Sequence, residues 1–194
     1  MAERRPHRFR IALAAVLGLL AATGCERKAD TAHPKSFDAE GLAFRYPGNW
    51  KVSTSTKEIS SAHLRVITVE TPGDGLVMVE EFRPALPIDL KEFLGTMVDE
   101  MRKELAGKTK GILSLERPRT TPVTRTILGA PRDGLRYQFE LGVLGEKVAE
   151  TTDGYLVTLP DRALIFVMQA PDEDRGLVEP GFAQLLDGAT VRAR

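Results

Sequence analysis

The sequence predicts an α+β domain built on a mainly antiparallel sheet of about six to seven strands covered by helices. Three observations predict it. Short segments alternate apolar and polar residues with the two-residue period of strands. Turn signals rich in Pro, Gly and Asp join neighbouring segments tightly, which favours antiparallel hairpins. Long runs of strands stand beside only two helical patterns, which argues against a doubly wound parallel sheet.

Taken in order, Leu42–Tyr46 reads as a short strand with Leu42, Phe44 and Tyr46 on one face. Pro47-Gly48-Asn49 is a turn signal, and Trp50–Ser53 is expected to pair back as a second strand. His63–Thr71 and Leu76–Arg83 flank Pro72-Gly73-Asp74-Gly75, a hairpin loop. Leu76, Met78 and Phe82 share one face of the latter, and Val77 and Val79 take the other. A strand apolar on both faces belongs inside a sheet covered on both sides.

The spacing of Leu90, Phe93, Leu94, Met97, Val98, Met101 and Leu105 predicts a helix over Asp89–Ala106. Asp89 can cap it, with Glu92 three residues on, and Gly107 is the expected stop. Ile112–Leu115 and Val123–Leu128 read as strands separated by Pro118 and Pro122. Leu135, Tyr137, Phe139, Leu141 and Val143 alternate with polar residues as a half-buried strand. Lys147–Leu159 is extended, with an expected interruption at Asp153-Gly154. Asp161-Arg162 turns the chain into Ala163–Ala170, apolar on both faces and so central. A last helix is expected to start near Pro180 and to pack with Phe182, Leu185 and Leu186.

Ahead of the domain stands a leader. Arg4, Arg5, Arg8 and Arg10 precede the uncharged apolar run Ile11–Ala22, the pattern of an export signal. The run falls short of the roughly 20 apolar residues of a membrane span. Ala22-Thr23-Gly24 before Cys25, the only cysteine, resembles the lipobox of bacterial lipoproteins. Residues 1–24 then form a signal peptide, and Cys25 is the lipidated first residue of the mature chain. Two or more acyl chains give stable anchoring where one does not. Glu26 rather than Asp after the cysteine permits outer-membrane transfer, by resemblance to enterobacterial sorting. Residues 25–36 are polar and aperiodic and read as a flexible tether, with His33 solvated. Residues 37–194 make one globular domain, long enough for a sizeable core.

The chain has 27 basic and 27 acidic residues. Residues 1–24 hold four arginines and one glutamate, which leaves 23 basic and 26 acidic after them. That balance has no electrostatic footprint for nucleic acid. With one cysteine there is no internal disulfide, so stability rests on packing.

The segment Gly41-Leu42-Ala43-Phe44-Arg45-Tyr46-Pro47-Gly48-Asn49-Trp50 resembles the opening of the PsbP-like superfamily, which includes DcrB-like and LpqN-like bacterial lipoproteins. The order of hairpin, helix, strands and terminal helix is also similar, and the resemblance spans about 37–191. It implies an α/β/α sandwich and an accessory or binding role. Fold does not dictate function.

Chemistry-bearing motifs are sparse. His33 and His63 stand far apart, which does not suit a zinc site of three or four converging ligands. His63 reads as a strand-end histidine, and no Gly-x-Ser-x-Gly elbow or phosphate-cradling glycine loop occurs. Asp172-Glu173-Asp174 has calcium-binding chemistry but not the spacing, and reads as a solvated approach to the last helix. Glu80 shares a face with Met78 and Phe82, where a carboxylate is costly unless paired, with Arg83 or Arg136 as candidates. Trp50, Glu80 and Phe82 are therefore the pocket candidates, Trp50 also reading as a core anchor. No catalytic residue, metal or cofactor is expected. The leading reading is a lipid-anchored cell-envelope protein with a non-enzymatic accessory role and an envelope protein as partner, its domain on the periplasmic side and the outer membrane favoured. The second is a small-ligand or lipid-binding module using a cleft between sheet and helix. The third is a hydrolase built around His63.

Overall fold

The computed structural model describes residues 28–59, 61–109, 114–115, 118–143 and 146–192. The expected signal peptide, Ala22, Thr23, Gly24 and Cys25 lie outside the described residues. The strands are β1 (Lys35–Ala39), β2 (Leu42–Tyr46), β3 (Lys51–Ile59), β4 (Ala62–Glu70), β5 (Leu76–Arg83), β6 (Ser114–Leu115), β7 (Arg119–Ile127), β8 (Ala130–Val143), β9 (Glu146–Thr158), β10 (Ala163–Pro171) and β11 (Thr190–Val191). Helix α1 (Leu90–Thr109) follows β5, and α2 (Arg175–Asp187) follows β10.

An antiparallel eight-stranded sheet runs β3-β4-β5-β10-β9-β8, with β6 and β7 both pairing along the long β8. The apolar-on-both-faces strand β10 sits at its centre, as its composition requires. A small sheet, β1-β2-β11, packs beside α2 on one face of the large sheet, and α1 covers the other. Two apolar layers result. Leu42, Phe44, Trp50, Ile67, Val79, Phe166, Phe182 and Leu185 fill the α2 side. Leu64, Met78, Phe82, Leu94, Val98, Tyr137 and Phe139 fill the α1 side. The arrangement is the α+β sandwich that the sequence predicts.

Several local expectations are corrected. Residues 28–36 are not a free tether. Ala29 packs on the core, Gly48 N–H donates to the Asp30 carbonyl, and the Asn49 side chain both donates to the Lys28 carbonyl (3.0 Å) and accepts from Asp30 N–H (2.9 Å). The polar composition was right for solvent, but these hydrogen bonds are long-range and leave no local pattern. His33 is solvated as expected, with 85% of its side chain exposed. Trp50–Ser53 does not pair back on β2. The strand begins at Lys51, runs to Ile59 and pairs with β4, because the turn at Pro47–Asn49 hands the chain from the small sheet to the large one.

Asp89 does cap α1, its Oδ1 accepting from Glu92 N–H at 3.0 Å. The helix passes through Gly107 to Thr109, since a glycine permits a stop without enforcing one. Pro122 lies inside β7 rather than between strands, tolerated because β7 is an edge that needs no outward N–H. Of Ile112–Leu115, only Ser114–Leu115 is described as strand. β9 continues through Asp153-Gly154, where the glycine admits helix α1: a Cβ there would lie 2.6 Å from Leu94 Cδ1. Helix α2 starts at Arg175, five residues before Pro180, which sits inside it.

Gly181 of α2 lies over Trp50, where a Cβ would stand 2.3 Å from the buried ring. Gly181→Ala is expected to destabilise the domain by ~1–3 kcal/mol through overpacking, despite a helix-propensity gain of about 1 kcal/mol. A lowered urea midpoint at unchanged slope is the expected readout; an unchanged or raised midpoint contradicts the close fit.

Candidate functional site

Charge concentrates where the two sheets meet. The β1–β2 turn places Glu40 and Gly41 at φ 51° and 81°, a left-handed pair that aims the Ala39 and Glu40 carbonyls at the large sheet. Beneath it, Glu81 is 1% exposed. Register sets Arg65 of β4 directly opposite Glu81 of β5, and their ion pair closes at 2.5 Å. Arg162, fully buried in the β9–β10 turn, reaches Glu81 at 2.9 Å, and Arg83 reaches it at 2.7 Å. The same guanidiniums cap the turn. Arg65 donates twice to the Ala39 carbonyl, and Arg83 (2.6 Å) and Arg162 (3.3 Å) donate to the Glu40 carbonyl. Arg162 also pairs with Asp161 at 2.7 Å. This carboxylate is spent as a hub, with Oε2 in the ion pair with Arg65 and Oε1 in those with Arg83 and Arg162.

A second hub fixes α2. Asp153 of β9 accepts from Arg136 of β8 at 2.6 and 2.9 Å and from Arg175 of α2 at 2.6 Å. Burial alone would raise its pKa. The hydrogen bonds and charges of Arg136 and Arg175 outweigh burial and hold the carboxyl below the usual aspartate range.

The α1 side carries two acids with no arginine paired to them among the described residues. Glu80 is 3% exposed, and its Oε2 has no hydrogen-bond partner among the described residues. Burial pushes its pKa to about 7, with the charge of Lys57 pulling the other way. Neither expected partner serves it: Arg83 goes to Glu81 and Arg136 to Asp153, because both point to the opposite face. Glu150 is similarly raised to about 7, by burial first and by Asp172, Asp74 and Asp174, against a hydrogen bond from Gln169.

The pocket candidates are not brought together. Trp50 anchors the α2-side core, whereas Phe82 packs in the α1-side layer, beside Glu80 on β5. The expected cleft under α1 is filled: Leu94 and Val98 pack with Tyr137 and Phe139, and the Tyr137 hydroxyl donates to the Lys91 carbonyl at 2.8 Å. A shallow open recess of about 240 Å³ lies elsewhere, lined by Asn49, Lys51, Glu70, Thr71 and Pro72. His63 pairs with Glu58 at 2.7 Å at the end of β4, and both are exposed enough to meet solvent. Asp172 accepts from Thr151 and Asp174 from Asp74 N–H, so the acidic triplet makes structural hydrogen bonds on the approach to α2. Among the described residues no group of three or more His, Cys, Asp or Glu is placed to hold a metal. No described helix is long and apolar enough to cross a membrane.

Sequence reading singles out Glu80 on this strand but misses the roles of Arg65, Arg162 and Asp153. A signal for them existed: each interrupts or abuts an apolar strand run, where an unpaired charge is not tolerated.

No protein-family model matches the chain, and no curated protein matches it. Among solved structures it is similar to cyanobacterial PsbP (CyanoP) from Synechocystis, with 12% identity, 91% of this chain and 99% of that one covered, and a TM-score of 0.48. It is also similar to a Bacteroides thetaiotaomicron structure, with 15% identity, 82% and 49% coverage and a TM-score of 0.45. A third is LpqN, involved in cell envelope biogenesis of Mycobacterium tuberculosis, with 11% identity, 83% and 90% coverage and a TM-score of 0.39.

Two outcomes are expected from this geometry. Glu81→Gln should cost about 3–5 kcal/mol, the penalty for unpairing buried charges, whereas Arg83→Ala at the wetter rim should cost about 1 kcal/mol or less. Equal losses by denaturant unfolding would contradict the hub. For Glu80, the folded pKa of about 7 exceeds the ordinary 4.5. Its contribution to stability is then greatest below pH 4.5 and is lost as pH rises towards 7, by about 3 kcal/mol in all. Glu80→Gln is expected to flatten that part of the stability–pH curve, measured by urea midpoints from pH 4.5 to 8; an unchanged slope contradicts it.

Proposed function

We propose that this chain is a lipid-anchored protein of the bacterial cell envelope with a non-enzymatic accessory role, acting through contact with another envelope protein. The anchor reading rests on the basic leader, the apolar run and Ala22-Thr23-Gly24 before Cys25. The accessory reading is supported by one observation above the rest: the well-held buried charges are committed to joining layers, and the open surface is a strand edge. Glu81 and Asp153 hold sheets and helix together. Among the described residues strand β3 is an edge of the large sheet, nine residues long, with Ser53 to Glu58 all exposed. Edges of this kind accept a strand from a partner, since unpaired backbone N–H and C=O groups stand ready. The opposite edge is interrupted by Pro122 in β7, so the two edges are not equivalent.

The domain is proposed to stand on the periplasmic side, with the outer membrane favoured over the inner. In-cell crosslinking of the tagged full-length protein, beside a Cys25→Ser form that cannot be lipidated, tests this reading. One partner is expected in near-stoichiometric yield, lost or sharply reduced with the anchor and also reduced by Thr54→Pro in the β3 edge. Recovery of no specific partner by either form overturns the accessory role. A Cys25→Ser protein still partitioning with membranes overturns the anchor.

A further inference from the structure

The docked N-terminal segment sets how the domain stands on its membrane. This inference rests on lipidation at Cys25 and goes beyond it. Only three residue steps separate Cys25 from Lys28, and three steps reach at most about 10 Å even when fully extended. From Lys28 onward the chain is fastened. Asn49 holds the Lys28 carbonyl and the Asp30 N–H, Gly48 N–H holds the Asp30 carbonyl, and the Gln184 side chain donates to the Thr31 carbonyl at 2.9 Å. The fit is close: a Cβ on Gly48 would stand 2.2 Å from the His33 carbonyl oxygen. A tether read as twelve residues long is thereby reduced to a stub.

The strand registers say which end of the domain that stub serves. Lys51 lies opposite Glu70, Glu70 opposite Leu76 and Leu76 opposite Gln169, so these residues share one end of the large sheet. Lys35 and Tyr46 mark the same end of the small sheet, since Pro47–Asn49 links Tyr46 to Lys51. The β1–β2 turn, Arg83, Glu81 and the opposed residues Ile59 and Ala62 lie at the other end. We infer that the Lys28–Asn49–Lys51 end faces the phospholipid surface holding the Cys25 acyl chains, and that the Glu40–Ser61 end points away from it. The occupant of this face is the bilayer to which the chain is covalently tied. The recess at Asn49, Lys51, Glu70, Thr71 and Pro72 then opens toward the headgroups. Strand β3 runs away from the membrane, its nine residues spanning roughly 30 Å.

The test uses the lipidated full-length protein in phosphatidylethanolamine–phosphatidylglycerol vesicles containing a headgroup nitroxide lipid. Single cysteines carry a fluorophore at Lys51→Cys or at Ser61→Cys, both exposed positions; acylated Cys25 does not react with the label. Quenching several-fold stronger at position 51 than at 61 is expected. A second form carries about ten Gly/Ser residues inserted after Glu26, adding roughly 17 Å of reach while leaving the fastened segment intact. The contrast should collapse in that form. Mass spectrometry of the Cys25 peptide separates the two ideas. An acylated protein quenched equally at both positions overturns the orientation and leaves the anchor standing, as does an unchanged contrast in the lengthened form. A Cys25 peptide without acyl mass overturns the anchor reading and the orientation with it.

Discussion

The two sheets of this domain are joined through one carboxylate. Glu81 lies where the turn of the small sheet meets the face of the large one, and that meeting buries backbone carbonyls that need donors. Three guanidiniums supply them, and guanidinium groups cannot shed their charge. Two of them, Arg65 and Arg162, are buried, and burying such cations without an anion between them is prohibitive. The architecture therefore depends on a negative charge at position 81, and an apolar or neutral replacement strands the donors that hold the turn. The meeting of Arg65, opposite in register, with Arg83 two residues along and Arg162 from the turn into β10 is possible because β4, β5 and β10 are neighbours.

Much of this order was legible in the sequence because it is local. Strands β2 and β5 begin and end at the residues that the apolar alternation marks, and Asp89 caps α1 where its side chain stands three residues ahead of an N–H it can accept. What could not be read is non-local. The clasp of Asp30 on Asn49 joins residues nineteen apart, and Arg162 finds Glu81 across eighty-one. Polar composition reports whether a segment suits water, not whether a distant side chain will hold it. The same limit explains Trp50, Glu80 and Phe82. Two of them share a face by parity, but the face that Trp50 joins is decided by the turn at Pro47, which carries the chain to a different sheet.

Parity along β5 also separates two kinds of buried acid. Glu81 points to the side where arginines arrive from β4 and the β9–β10 turn. Glu80, one residue earlier, points to the side where Met78, Phe82 and Ile165 surround the strand. One residue of register thus divides a carboxylate ion-paired to three arginines from one whose pKa is raised by burial. The same division recurs on β9, where Asp153 takes two arginines and Glu150 takes none among the described residues.

The two faces consequently respond to protons in opposite directions. Asp153, held below the usual aspartate range, stabilises the fold above its unfolded pKa near 3.8 and loses that contribution in stronger acid. Glu80 and Glu150 stabilise it while protonated and withdraw that contribution as pH climbs from 4.5 to about 7. The α2 side thereby sets the acid limit of the domain, and the α1 side favours mildly acidic over neutral conditions. Between the two limits lies a window in which both faces are satisfied at once. Position in that window is governed by which side of each strand an acid happens to face, so the pattern of alternation that builds the sheets also sets the pH at which they hold together best.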